Sequence, residues 1–271
     1  MSPENHLLRS HAPITSTGWE LLDQEARERL TFALAARRLV DFSGPHGWEY
    51  SATNLGRTEA LAAAPCDGVT ALRRRVLPLA EMQAPFTVSR EELRAADRGA
   101  EDVDLDALDA ASRSLAVAEN KAVFHGWSEA GMQGITEASP HPELSRGADF
   151  NEYPSHVAKA VALLRRSGIE GPYGIALGTD EHTAVIETTE HGGYPLLDHL
   201  RKIIGGPLVW SPGVRGAVVL SRRGGDFLFE SGQDLAVGYA HHDAQTVYLY
   251  LEESFSFRVA TPEAAVALVP A

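Results

Sequence analysis

The chain has 271 residues, 44% of them hydrophobic, enough material for one large domain or two modest ones. Its formal net charge of −13, from 24 basic against 37 acidic residues, argues against a general binder of nucleic-acid backbones, because that affinity comes from neutralising cations. Apolar runs such as AVVL at 217–220 fall far short of the roughly 20 residues that span a bilayer, and the single Cys66 permits neither an internal disulfide nor a multi-cysteine metal site.

The opening stretch MSPENHLLRSHAPITSTGWE has no continuous apolar core before a small-residue cleavage site, so the expected compartment is the cytoplasm. From Thr17 to Val40 the residues Trp19, Leu22, Ala26, Leu30, Ala33 and Leu34 recur at helical spacing and predict an amphipathic helix. Thr17 with Glu20 reads as a capping box, and Arg37 and Arg38 suit the negative end of the helix dipole. After the turn cluster GPHG at 44–47, two strand-like runs, WEYSATNLG and VTALRRRVLPLAEM, flank the breaker APCDG and predict a long hairpin. Arg73, Arg74, Arg75 and Pro78 suit an exposed or edge strand, and a hairpin so poor in apolar residues favours pairing with another chain. A second long helix is predicted over Leu105–His125, with Gly126 as its stop and Glu119 interrupting its apolar face, either as a buried paired glutamate or as drift of that face. Between 134 and 223 helical and strand patterns alternate: a helix over 154–167, the strand PYGIALG, helices near Asp180 and over 195–204, and the strands LVW and GAVVL. The remainder is mostly alternating strand, including Val247, Leu249 and Leu251, and is expected to rejoin the earlier sheet.

Catalytic patterns are absent from the sequence. None of the glycine clusters has phosphate-cradling spacing, no G-x-S-x-G elbow supplies a serine nucleophile, and neither H-E-x-x-H nor a Glu-x-x-His pair occurs. Cys66 has no cation or histidine adjacent in sequence to lower its pKa. His241, His242 and Asp243 are sequential, so their side chains diverge along an extended chain, and a polar turn explains them better than a metal site. The acidic run EDVDLD at 101–106 lacks the other ligands of a calcium loop and suits a helix N-terminus.

GPHGWEY (44–50), PFTVSREEL (85–93) with DRG (97–99), GIEGPYGIAL (168–177), HGGYPLLDHL (191–200) and RGGDFLFESGQDLAVGY (223–239) occur in order along nearly the whole chain. Together they resemble the encapsulin shell proteins, the linocin-type bacteriocin family, which are similar to the major capsid proteins of tailed phages. The resemblance implies an α+β fold with a peripheral domain from 1–42, 82–135 and 222–271, an extended loop over 43–81 and an axial domain over 136–221. It implies a homo-oligomeric icosahedral shell of about sixty subunits, enclosing a peroxidase, a ferritin-like protein or another redox enzyme through that cargo's C-terminal targeting peptide. The matching cargo-peptide positions are Leu30, Leu34, Arg37, Asp41, Asp234 and Leu235, and those matching a pore loop are His191, Gly192, Gly193 and Tyr194, with a second glycine where the family pattern has one. Some members hold a flavin against an exposed tryptophan, and Glu91 stands at that place here, so no flavin or other cofactor is expected. The alternatives are a protease- or bacteriocin-like enzyme, for which no nucleophile or metal motif is found, and a nucleic-acid-packaging capsid, which the acidic charge disfavours.

Overall fold

A computed structural model describes residues 6–147, 149–189 and 193–270. Helix α1 (Ser16–Ala33) buries Leu22, Ala26, Leu30 and Ala33 along one stripe, as the periodicity predicts. Its N-cap is Thr15, whose hydroxyl accepts from the Gly18 N–H at 3.1 Å, two residues before the expected cap. The helix also stops seven residues short of Val40. The cause is Asn120, fully buried on the facing helix: its carbonyl accepts from the Ala35 and Ala36 N–H groups at 3.1 and 3.0 Å, and its amide donates to the Ala33 carbonyl at 3.0 Å. Those bonds replace the helical ladder, and the chain turns through a 3₁₀ segment at Ala36–Arg38 into strand β1 (Asp41–Ser43).

Strands β2 (Ala52–Ala60) and β3 (Leu72–Pro78) form a separate two-stranded antiparallel ribbon, shorter than the predicted hairpin. The second strand-like run divides at Leu79, whose N–H bonds the Ser51 carbonyl, and its continuation becomes β4 (Ala80–Ser89) in another sheet. Helix α2 (Arg90–Asp97) is capped by Ser89, and α3 (Asp106–His125) ends at Gly126, which takes a left-handed φ of 91°. Asp106 and Asp109 occupy the first turn of α3, the place anticipated for the acidic run. The mixed block follows as α4 (Ile135–Ala138), β5 (Leu144–Ser145), α5 (Tyr153–Arg166), β6 (Tyr173–Leu177), α6 (Thr179–Glu187), α7 (Leu196–Ile204), β7 (Leu208–Trp210) and β8 (Ala217–Ser221). The chain closes with β9 (Phe227–Ser231), β10 (Ala236–His242), β11 (Thr246–Val259) and β12 (Ala265–Val269).

Two five-stranded sheets result. The first is built on the 14-residue β11, which pairs along one edge with β4 over Thr246–Phe255 and along the other with β10 and then, from Phe255, with β9; β1 pairs parallel to β9. The second has the order β5-β12-β8-β6-β7. Strand β12 therefore joins the sheet of the mixed block, contrary to the expectation that the whole chain end rejoins the earlier sheet. Its run AVALV is apolar on both faces, which suits a position between β5 and β8 and not a half-exposed alternating strand. Helices α1 and α3 pack with β4, β10 and β11 around Leu22, Leu30, Leu108, Leu115, Phe86 and Leu249. The second core surrounds β6, β8 and β12 and is continuous with Phe227, Phe229, Phe255 and Phe257 of the first sheet.

Candidate functional site

Where α1 crosses β10 and β11, the two elements leave a groove of about 510 Å³. One wall is helical: Ala26, Leu30 and Leu34 lie at spacings of four and so share a face. Leu235, just before β10, forms the opposite wall with Val237 and Leu251, which strand alternation turns toward the helix. At one end Arg9 pairs with Asp23 at 2.7 Å and lies over the Trp19 ring at 4.0 Å. Arg27 and Arg38 stand on the exposed rim with no ion-pair partner among the described residues.

Arg37 closes the other end. Its Nε donates to Glu119 Oε2 at 2.6 Å, Nη1 to Asp234 Oδ1 at 2.6 Å and Nη2 to Glu253 Oε2 at 2.5 Å. Asp234 is part-exposed, whereas the side chains of Glu119 and Glu253 are sealed from solvent. Burial, only partly countered by Arg37, pushes the Glu119 carboxyl above the ordinary range. Burial and the neighbouring Glu119 charge push Glu253 well above it. Burial opposes the charged form of Arg37 as well, but the three carboxylates outweigh it and hold the guanidinium protonated. A groove with aliphatic walls and fixed charges at its ends can hold a short apolar segment that carries polar termini or side chains.

Five of the six expected peptide residues, Leu30, Leu34, Arg37, Asp234 and Leu235, meet in this groove. Asp41 does not: it lies in β1, and its carboxylate accepts from the Gly225 N–H at 2.6 Å, bracing the turn before β9. Of the expected pore residues, His191 and Gly192 lie outside the described residues. Gly193 has a left-handed φ of 79°, and Tyr194 is exposed beside α7, with the Lys202 ammonium 4.8 Å from its ring centre. Glu91 is exposed on the first turn of α2, where hydrogen bonds from Arg98 and Arg94 hold its carboxyl below the usual range. His242 accepts or donates to Tyr239 through Nδ1 at 2.6 Å, and Asp243 accepts the Gln245 and Thr246 N–H groups, both at 2.8 Å, in the turn between β10 and β11. Among the described residues no cluster of three metal-ligating side chains occurs, and no helix is long and apolar enough to cross a membrane.

Sequence reasoning left Glu119 open, named Leu251 only as an apolar strand position, and did not single out Glu253, Asn120 or Val237. Glu253 had a readable signal. Glu252 and Glu253 are adjacent acids within a long strand, so one of them must face each side, and both sides here are covered.

The chain matches, over residues 4–256, the family model described as an encapsulating protein for peroxidase. It is 49% identical over 269 residues to the type 1 encapsulin shell protein of Rhodospirillum rubrum, covering 97% of this chain and 96% of that one. It is 40% identical over 264 residues to the protein of the same description from Mycobacterium tuberculosis, covering 97% and 99% of the two chains. Among solved structures it resembles a virus-like particle from Pyrococcus furiosus, with a TM-score of 0.63 at 16% identity over 92% of this chain and 98% of that one. It also resembles the capsid of an empty GTA particle, with a TM-score of 0.56 at 17% identity over 88% and 90% of the two chains.

Proposed function

This chain belongs to the family of encapsulating proteins for peroxidase, and we propose on that premise that about sixty copies close into an icosahedral shell whose groove between α1 and β10 docks a cargo's C-terminal peptide. It is an encapsulin shell protein that assembles into a capsid-like particle. The observation that carries the docking reading is the groove itself: Leu30, Leu34 and Leu235 converge on an open apolar slot, with Arg37 and Asp234 at its end. Repeated identical grooves around a shell let an oligomeric cargo bind multivalently, so each peptide contact need only be weak. A structural role, without chemistry of its own, and a cytoplasmic location complete the reading; the exposed, unpaired Cys66 suits a reducing compartment.

The ribbon of β2 and β3 supplies the reach between copies. Leu72 and Val76 share one face of β3 and are more than 40% exposed, as are Leu61 and Val69 in the connecting loop. A groove of about 1180 Å³ between α3 and the β4–β11 pair, lined in part by Ala111, Ala118, Phe86 and Trp127, offers apolar surface for a second copy's ribbon. The axial unit proposed here takes in β12 as well, because that strand pairs with β8.

The docking test is Leu235→Asp, which puts a charge in the slot and leaves Arg37, Glu119, Asp234 and Glu253 themselves unaltered. Electron microscopy should show intact hollow particles, and the cargo that co-purifies with them should fall at least tenfold. Unchanged cargo content would remove the groove from the docking role.

A further inference from the structure

The docking role uses Arg37 and Asp234, but two other carboxylates on Arg37 never reach the groove surface. Glu119 and Glu253 each give one oxygen to the guanidinium, at 2.6 and 2.5 Å. The remaining Oε1 atom of each is buried and accepts from no donor in the fold. The two carboxylates occupy Nε and Nη2 of the same guanidinium, so two like charges are held side by side out of water. As two carboxylates they offer only lone pairs, so the contact is repulsive and both oxygens stay unsatisfied. One shared proton removes one of the two like charges and supplies the donor that the pair lacks.

We propose that Glu119 and Glu253 hold a single proton between them at neutral pH and act as positioning residues that set how much of Arg37's charge reaches the groove. The groups facing the pair are few. The turn after α1 brings Arg37, α3 brings Glu119 and the neutral Asn120, β11 brings Glu253, and the loop before β10 brings Asp234. Phe42 of β1 and Phe229 of β9 set their rings 5.2 and 5.3 Å from the guanidinium and add no charge. Glu252, the strand neighbour of Glu253, engages His6 and Gln83 instead. With the proton present, Arg37 is balanced by one buried carboxylate and Asp234. When it leaves, a second buried carboxylate competes for the same guanidinium, and the groove end becomes one unit more negative. On the docking reading above, acidic groups of a bound segment are then held more weakly as pH rises.

Burial raises both carboxyls above the ordinary value of 4.5, so the folded chain keeps a proton that the unfolded chain has released. The stability this contributes is complete below that value and is lost as pH rises through the folded pair's titration. Half-buried His125 and His182 are shifted downward by desolvation and change stability in the opposite sense, so the pair is read by comparing variants.

Infrared spectra of empty wild-type shells provide the test. At neutral pH they should contain the carbonyl stretch of a protonated carboxyl group, which upward titration replaces by a carboxylate band and which Glu253→Gln and Glu119→Gln each abolish. Glu253→Gln mimics the protonated acid, since its amide can donate to Glu119 while its carbonyl accepts from Arg37. As pH rises above the ordinary carboxylate range, its melting temperature should therefore lack the decline that wild type shows. Absence of a variant-sensitive acid band in wild type, or parallel melting profiles for the two proteins, overturns the proposal. The band is read without cargo, so its failure is distinct from failure of the docking reading, which Leu235→Asp tests.

Discussion

Arg37 is the one cation serving carboxylates from α3, β11 and the loop before β10, and two of those carboxylates have no access to water. Arg37→Ala strands buried charge, so it should lower the stability of the subunit by about 3–5 kcal/mol, read by calorimetric or denaturant unfolding. Arg37→Lys should recover only part of that loss, because an ammonium cannot present three donors in the fixed plane of a guanidinium. Loss of cargo in Arg37→Ala would therefore confound docking with folding. Asp41→Ala, which affects only the turn at Gly225, should leave cargo loading at the wild-type level when shells are purified and weighed for cargo. Leu30 and Leu34 were legible as an apolar pair because helical periodicity reports a shared face. Asp41 was grouped with them through family resemblance, and the early end of α1 carries it away into β1. No local pattern reveals that end, because it is made by Asn120, 85 residues along from Ala35.

The ribbon of β2 and β3 sets two arginines, Arg57 and Arg75, directly across from each other, an arrangement that repels within one chain. Arg73 pairs with Glu59, whereas Arg57, Arg74 and Arg75 have no ion-pair partner among the described residues. On the face of β3 that carries Leu72 and Val76, apolar surface is likewise left open. Val76→Lys should leave the subunit fold intact by circular dichroism while shifting sedimentation from large particles to small species. A variant that still forms full-sized particles would exclude this face from the contact. The ribbon was readable in outline because turn residues and arginine-rich strands have local signatures. Its limits were not, since β4 continues the same extended run and separates only by finding β11, a partner more than 150 residues away. The same physics explains β12: an apolar strand states that it is buried but not in which sheet.

At the scale of the assembled particle, every copy brings a net charge of −13. Like-charged subunits repel until salt shortens the range of that repulsion to about 10 Å near 0.1 M. Assembly measured by sedimentation should therefore increase from low to moderate ionic strength; a decrease would mean that ion pairs of the ribbon arginines dominate the contacts. On the proposed docking role, a cargo tethered in the groove would pull on α1. The C-terminal end of that helix is held by a side chain of α3. Asn120 bonds Ala33, Ala35 and Ala36 at the helix end, and its amide also donates to the Pro212 carbonyl, between β7 and β8, at 3.0 Å. A single amide thus acts as a rivet between the end of α1 and the β7–β8 connection, so a load on the helix would be shared with the sheet of the mixed block.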